Sequence, residues 1–112
     1  MNVGDIYWVE FPARGGRAQT GRRPAIIVQK ESTLPTVLLI PLTTQQDALR
    51  FPGTILIEPD GNNNLRQPSV ALVFQLTAVD KNFIKNKVGI ISKDKIKEIW
   101  LAFNELTERK SN

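Results

Sequence analysis

The chain contains no cysteine and no histidine. Without cysteine there can be no disulfide framework and no thiolate metal site, which fits a reducing cytoplasm. Without histidine the commonest general acid–base group and the commonest metal ligand are both gone. A metal would need a carboxylate cluster, but the acids are scattered singly along the chain, apart from Glu105 and Glu108 near the C-terminus. No cofactor is therefore expected. Serine- or cysteine-based triads are excluded or unsupported for the same reason. Long apolar runs are missing too, and the start MNVGDIYWVE has neither a basic n-region nor an apolar h-region. The expectation is an unexported cytoplasmic protein with no membrane partner. Phosphate-loop patterns of the GxxxxGK[ST] or GxGxxG type do not occur, and Gly15-Gly16 alone is too weak to imply nucleotide binding.

What is present is positive charge, and it is localised. At 112 residues the chain is expected to form one domain, 1–112, with a core that needs no staples. Its net charge is +4. Arg14, Arg17, Arg22, Arg23 and Lys30 follow Phe11 with no acid among them, and Lys81, Lys85, Lys87, Lys93, Lys95 and Lys97 are interrupted only by Asp94. Basic density of this kind favours a polyanion such as nucleic acid, although the lysine group also reads as a solvated face. The arginine group carries more information, because arginine presents a planar fork of donors that lysine lacks.

The strand pattern starts at Ile6–Phe11, rich in aromatic and β-branched residues and stopped by Pro12. Residues 13–22 hold three glycines and no large apolar residue, so a surface loop is expected. Strands are expected at Ala25–Gln29, Val37–Leu42 and Thr54–Glu58, with a polar loop over 43–51 and dense turn residues after Glu58. Ser69–Leu76 reads as one further strand. A short helical turn within Val79–Ile84 precedes a last strand, Val88–Ile91. Ser92 can cap a helix with apolar residues at Ile96, Ile99, Trp100, Phe103 and Leu106, a stripe that implies core packing, with part of it available for a subunit contact. The class is mainly β with helices (α+β), a strongly bent sheet or small barrel of five to seven strands with a C-terminal helix.

The chemistry left to such a chain is arginine plus hydroxyl. In TGRRP the proline pushes Arg23 toward an extended conformation at a strand entrance. Thr43 or Thr44, at the end of Val37–Leu42, can add a hydroxyl donor. If the two strands are neighbours, both groups emerge at one edge and form an anion pocket. Such a pocket stabilises charge developing on a phosphate, and RNA carries its own nucleophile in the 2′-OH. Simple phosphate binding remains open at this point.

The stretches GDIYWVEF (4–11), GRAQTGRRP (16–24) leading into AIIVQ, IPLTTQ (40–45) and SVALVFQLTAVDK (69–81) resemble, in that order, the MazF/PemK family of toxins from toxin–antitoxin systems. The likeness covers nearly the whole chain. It implies a small SH3-like or CcdB-like barrel, a homodimer, and metal-independent, sequence-specific cleavage of single-stranded RNA to 2′,3′-cyclic phosphate and 5′-hydroxyl ends. It also implies a cognate acidic antitoxin as partner. By the same resemblance Arg23 acts in proton transfer or charge stabilisation and Thr43 holds the scissile phosphate. Thr44, Gln45, Gln19 and Gln75 fall where RNA contacts are expected, and amides there can read base edges. Phe51 is either a base-stacking residue or a packed one. Arg17 and Arg22 are extra charges that tune RNA affinity or are simply solvated. One departure stands out. Relatives often carry glutamate or histidine just before the loop glutamine, and this chain has Ala18. The general base is thereby left open, with Arg23 serving both proton steps or activity reduced.

Two other functions fit parts of the pattern. A CcdB-like toxin binds gyrase through its C-terminal helix without catalysis, but this chain ends in LTERKSN, which offers no apolar wedge. A barrel that only binds RNA would share the basic surface and lack the cleavage.

Overall fold

The computed structural model describes residues 1–12 and 21–108. Arg14, Arg17, Ala18 and Gln19, to which the sequence assigns charge or site roles, lie outside the described residues. Among the described residues there are seven strands: β1 (Asp5–Phe11), β2 (Gly21–Ile27), β3 (Thr36–Thr43), β4 (Thr54–Ile57), β5 (Ser69–Leu72), β6 (Thr77–Asp80) and β7 (Ile84–Ile90), followed by helix α1 (Lys93–Leu106). The pairings are antiparallel and run β4-β5-β3-β2-β1-β7, with β6 also on β3. Strands β4 and β7 are the ends of this path, so the bent sheet is not closed among the described residues.

Strand β3 organises the whole. One side pairs with β2, while the other gives Thr36–Leu39 to β6 and Leu42–Thr43 to β5. Pro41, which has no N–H to give a ladder, falls between those two stretches. This division corrects the expected strand Ser69–Leu76. Strand β5 stops at Leu72, Val73–Gln75 form a 3-10 helix, and Thr77–Asp80 is a separate strand that the sequence pattern did not announce. The run SVALVFQL looks continuous because it is apolar. The chain must nevertheless cross from one half of β3 to the other, and the turn at 73–75 makes the crossing.

Other boundaries shift for similar reasons. Strand β2 begins at Gly21 rather than Ala25, because β1 supplies partners as far as Phe11, with Glu10 opposite Arg22 and Val9 opposite Arg23. Strand β7 begins at Ile84, not Val88, directly after a 3-10 helix at Lys81–Phe83 that matches the expected helical turn. The polar loop after β3 contains a further 3-10 helix, Gln46–Arg50.

Alternation along the strands builds two buried clusters. Ile6, Ile26, Ile40, Leu42, Ile57 and Ala71 belong to one, which α1 covers with Ile99 and, at its margin, Ile96 and Phe103. Val9, Ala25, Ile27, Val37, Leu39 and Val79 make the other. Helix α1 starts as its sequence requires, since Ser92 Oγ accepts a hydrogen bond from Lys95 N–H at 3.2 Å. The expected stripe is core in part only: Ile99 is fully buried, whereas Trp100 and Leu106 are exposed, Trp100 lying edge-on to Phe103 with ring centroids 5.8 Å apart.

Candidate nucleic-acid interface

Strands β2 and β3 are neighbours, so the condition for an arginine–hydroxyl pocket is met. Their ladder pairs Ile27 with Leu39 and Ala25 with Pro41. Arg23 lies two residues before Ala25 and Thr43 two residues after Pro41, so both leave the ladder at the same end. Since side chains alternate with a period of two, both also lie on the face of Val9, Ala25 and Leu39. Arg22, one residue away, falls on the opposite face with Trp8, where its guanidinium carbon sits over the indole ring at 5.4 Å.

Arg23 is partly buried, and its Nε lacks a hydrogen-bond partner among the described residues. A buried donor left unmatched in the fold costs stability, so such a group is expected to have an acceptor in the working state. Thr43 is 5% exposed. Its Oγ1 accepts a hydrogen bond from Gln45 N–H at 3.2 Å, which orients the hydroxyl and leaves its own proton available to an acceptor. Together they supply a forked cation and a hydroxyl donor, the donor set that matches phosphate oxygens.

Two cavities flank the end of β3. One, of about 250 Å³, is lined by Thr43, Gln45, Phe51 and Gln75 together with Arg50 and Phe74, so four of the residues singled out from sequence meet here. Phe51 is 38% exposed and Phe74 42%, their ring centroids are 5.8 Å apart, and Arg50 lies over Phe51 at 4.6 Å. Phe51 is thus a surface aromatic with its face shared by a cation, not a packed core residue. The other cavity, of about 510 Å³, has Thr44 on its wall with Trp8, Arg66, Gln67 and Ser69.

Of the expected site residues, the fold brings Arg23 and Thr43 to one edge, joins Thr43 with Gln45, Phe51 and Gln75, and separates Arg22 and Thr44 from them. Trp8, Arg50, Arg66, Gln67 and Phe74 also line these cavities and were not singled out from the sequence. The one signal available for three of them was position: Arg50 adjoins Phe51, and Arg66-Gln67 is a polar pair following turn-rich sequence. Gln75 lines the smaller cavity from the 3-10 helix after β5 rather than from a strand.

The sequence profile of the PemK-like, MazF-like toxins of type II toxin–antitoxin systems matches residues 2–107. The endoribonuclease MazF of Staphylococcus saprophyticus is 31% identical over 102 residues, covering 88% of this chain and 84% of that protein. Among solved structures, MazF from Deinococcus radiodurans superposes with a TM-score of 0.81 at 20% identity, covering 96% of each chain. The Mycobacterium tuberculosis toxin MazF-mt6 superposes with a TM-score of 0.77 at 16% identity, covering 96% of this chain and 99% of that one. A mycobacterial endoribonuclease in complex with its cognate antitoxin gives 0.77 at 15%, covering 100% and 99%. At these identities the structural likenesses establish the fold, while the profile match and the staphylococcal relative establish descent: the chain belongs to the PemK-like, MazF-like toxin family of type II toxin–antitoxin systems.

Proposed function

We propose that this toxin is a single-domain endoribonuclease, 1–112, that cuts single-stranded RNA by attack of the 2′-OH on the adjacent phosphate. The observation that carries the reading is the shared edge of Arg23 and Thr43, with Arg23 Nε buried and unmatched among the described residues. In the reaction the 2′-oxygen forms a bond to phosphorus as the P–O5′ bond breaks, giving a 2′,3′-cyclic phosphate and a 5′-hydroxyl. The 2′-OH proton leaves as the bond forms, and a proton is delivered to the departing 5′-oxygen. Arg23 donates to the non-bridging oxygens, where charge accumulates in the pentacoordinate transition state. Thr43 donates its hydroxyl to the same phosphate and fixes its position. Arg23 is the group placed to take part in the proton steps, since Ala18 stands where relatives often carry an acid or histidine.

Gln45, Phe51 and Gln75 around the smaller cavity, together with Gln19, contact the RNA on either side of the cut. Arg17, Arg22 and Thr44 extend the binding surface. Neither histidine nor cysteine occurs in the chain, and the step as written needs no metal. The working form is a cytoplasmic homodimer, held in check by an acidic antitoxin that covers the basic groove. The staphylococcal relative is named an endoribonuclease, and a similar mycobacterial structure contains a cognate antitoxin. The test is cleavage of a single-stranded RNA in excess EDTA with end-group analysis. Cyclic phosphate and 5′-hydroxyl ends are expected; 5′-phosphate ends, or activity abolished by EDTA, would refute the mechanism.

A further inference from the structure

The larger cavity is left unused by the chemistry just described. It lies on the other side of the end of β3, reached from Thr43 through its immediate neighbour Thr44, and its lining includes an indole, an arginine and the Gln67 amide. Trp8 and Thr44 line it with Arg66 and Gln67, and Arg22 lies over Trp8. Its far wall is the segment after β4, and that wall is built to hold its shape. Asn63 is 1% exposed, donates from Nδ2 to the Glu58 carbonyl at 2.8 Å, and accepts at Oδ1 from the N–H groups of Asp60 and Leu65. Asn64 Nδ2 donates to the Val88 carbonyl at 3.0 Å, which ties the segment to β7. Gln46 Nε2 donates to the Pro68 carbonyl at 3.0 Å and joins the same segment to the loop after β3. The wall is thus fixed on both sides. Arg66 and Gln67 are exposed, and neither side chain makes an ion pair or hydrogen bond among the described residues.

A pocket lined by an aromatic ring, an uncommitted amide and a guanidinium, with a wall held by side-chain hydrogen bonds, has the chemistry of a nucleobase site. Stacking on an aromatic ring tolerates any base, an amide discriminates among base edges, and a guanidinium meets the phosphate that the nucleotide carries. We propose that this cavity is a specificity subsite that takes one unstacked base of the RNA beside the scissile phosphate, with Trp8 as its stacking surface and Gln67 and Arg66 reading its edge. The inference rests on the RNA-cleaving reading and adds to it the residues that choose the sequence. Its argument is continuity: Thr43 and Thr44 are consecutive, so a chain whose phosphate is held by Thr43 is within one nucleotide of the pocket that Thr44 lines.

Two experiments test it. In the first, a randomised RNA library is cleaved by the wild type, Trp8→Leu and Gln67→Ala, and the bases flanking each cut are sequenced. Both variants are expected to flatten the preference at one position next to the cut and to keep it at the others. Gln67→Ala alters an exposed side chain, so it remains informative if Trp8→Leu fails to fold. Preferences that stay unchanged at every position, or that fall together at all positions, would overturn the proposal. In the second, the Trp100→Phe protein, whose remaining tryptophan is Trp8, is titrated with a short RNA carrying a 2′-deoxy sugar at the cut. Quenching of Trp8 is expected, with affinity about tenfold weaker when the flanking nucleotide is abasic. An abasic oligonucleotide that binds and quenches equally well would overturn it. Since this binding needs no cleavage, quenching by the 2′-deoxy RNA while its all-ribose counterpart stays uncut by the wild type would count against the nuclease reading and leave the subsite standing.

Discussion

At the scale of single residues, the proposed site depends on two side chains whose backbone positions are fixed by one ladder. In the proposed reaction Thr43 acts through its hydroxyl alone, so the shape of the residue should matter little. Thr43→Val, nearly the same size, is expected to lose about a hundredfold in single-turnover rate, roughly 3 kcal/mol, whereas Thr43→Ser should retain most of it. Equal losses in the two variants would mean that packing, not hydrogen bonding, is what Thr43 provides. The placement of Arg23 and Thr43 at neighbouring strand ends was legible in the sequence, because the proline after Arg23 and the change from apolar to polar at LTT mark those ends. Trp8 was not. Within IYWVEF an aromatic residue reads as ordinary strand material, and its exposure to a cavity depends on residues 64–67 folding back beside it. No local pattern encodes that approach.

At the scale of elements, the segment after β4 and strand β7 meet at Gly89. A Cβ there would clash with the carbonyl oxygens of Asn63 and Asn62, both of them backbone atoms that cannot swing aside. Gly89→Ala is therefore expected to destabilise the fold by roughly 1–3 kcal/mol in urea unfolding. It should also disturb the wall of the larger cavity. A variant as stable as the wild type would show that this packing is looser than that clash implies. A second tie joins the first residue to the turn between β2 and β3. The amino group of Met1 lies 2.7 Å from Glu31 Oε2, and Lys81 Nζ is 3.9 Å from Oε1. Hydrogen bonding and charge from the amino group hold the Glu31 carboxyl below its usual range, with Lys81 adding to the effect. A carboxyl lowered in the folded state contributes stability above its unfolded value, and that contribution fades as pH falls through the folded one. Glu31→Gln should accordingly lower stability slightly at neutral pH and match the wild type in acid; a difference that grows below pH 4 would contradict the assignment. Helix α1 was readable from Ser92 and its apolar spacing, as were the first four strands. Strand β6 was hidden, because which half of β3 a short segment pairs with is decided by tertiary fit and not by its four residues.

At the scale of the whole molecule, the bent sheet leaves a basic edge between two cavities, with apolar side chains exposed on α1 and around Phe51 and Phe74. A homodimer is the expected assembly, and sedimentation at micromolar concentration should show it; a strict monomer there would remove it. An acidic antitoxin segment should displace single-stranded RNA, associate quickly at low salt, and do so more slowly with Arg22→Glu. Simultaneous binding of peptide and RNA would mean that inhibition acts at a distance from the groove. The family, the fold and the shared edge of Arg23 and Thr43 follow from patterns that are local in sequence. The cavities do not, because each is walled by segments far apart in the chain that only the folded sheet brings together.

The central claim is that Arg23 supplies the charge stabilisation for cleavage. It is tested most directly by the single-turnover rate of Arg23→Ala, against the wild type, on one single-stranded RNA in EDTA. A fall of about a hundredfold, with RNA binding reduced far less, is the expected result. An Arg23→Ala protein that cuts at the wild-type rate would contradict the assignment.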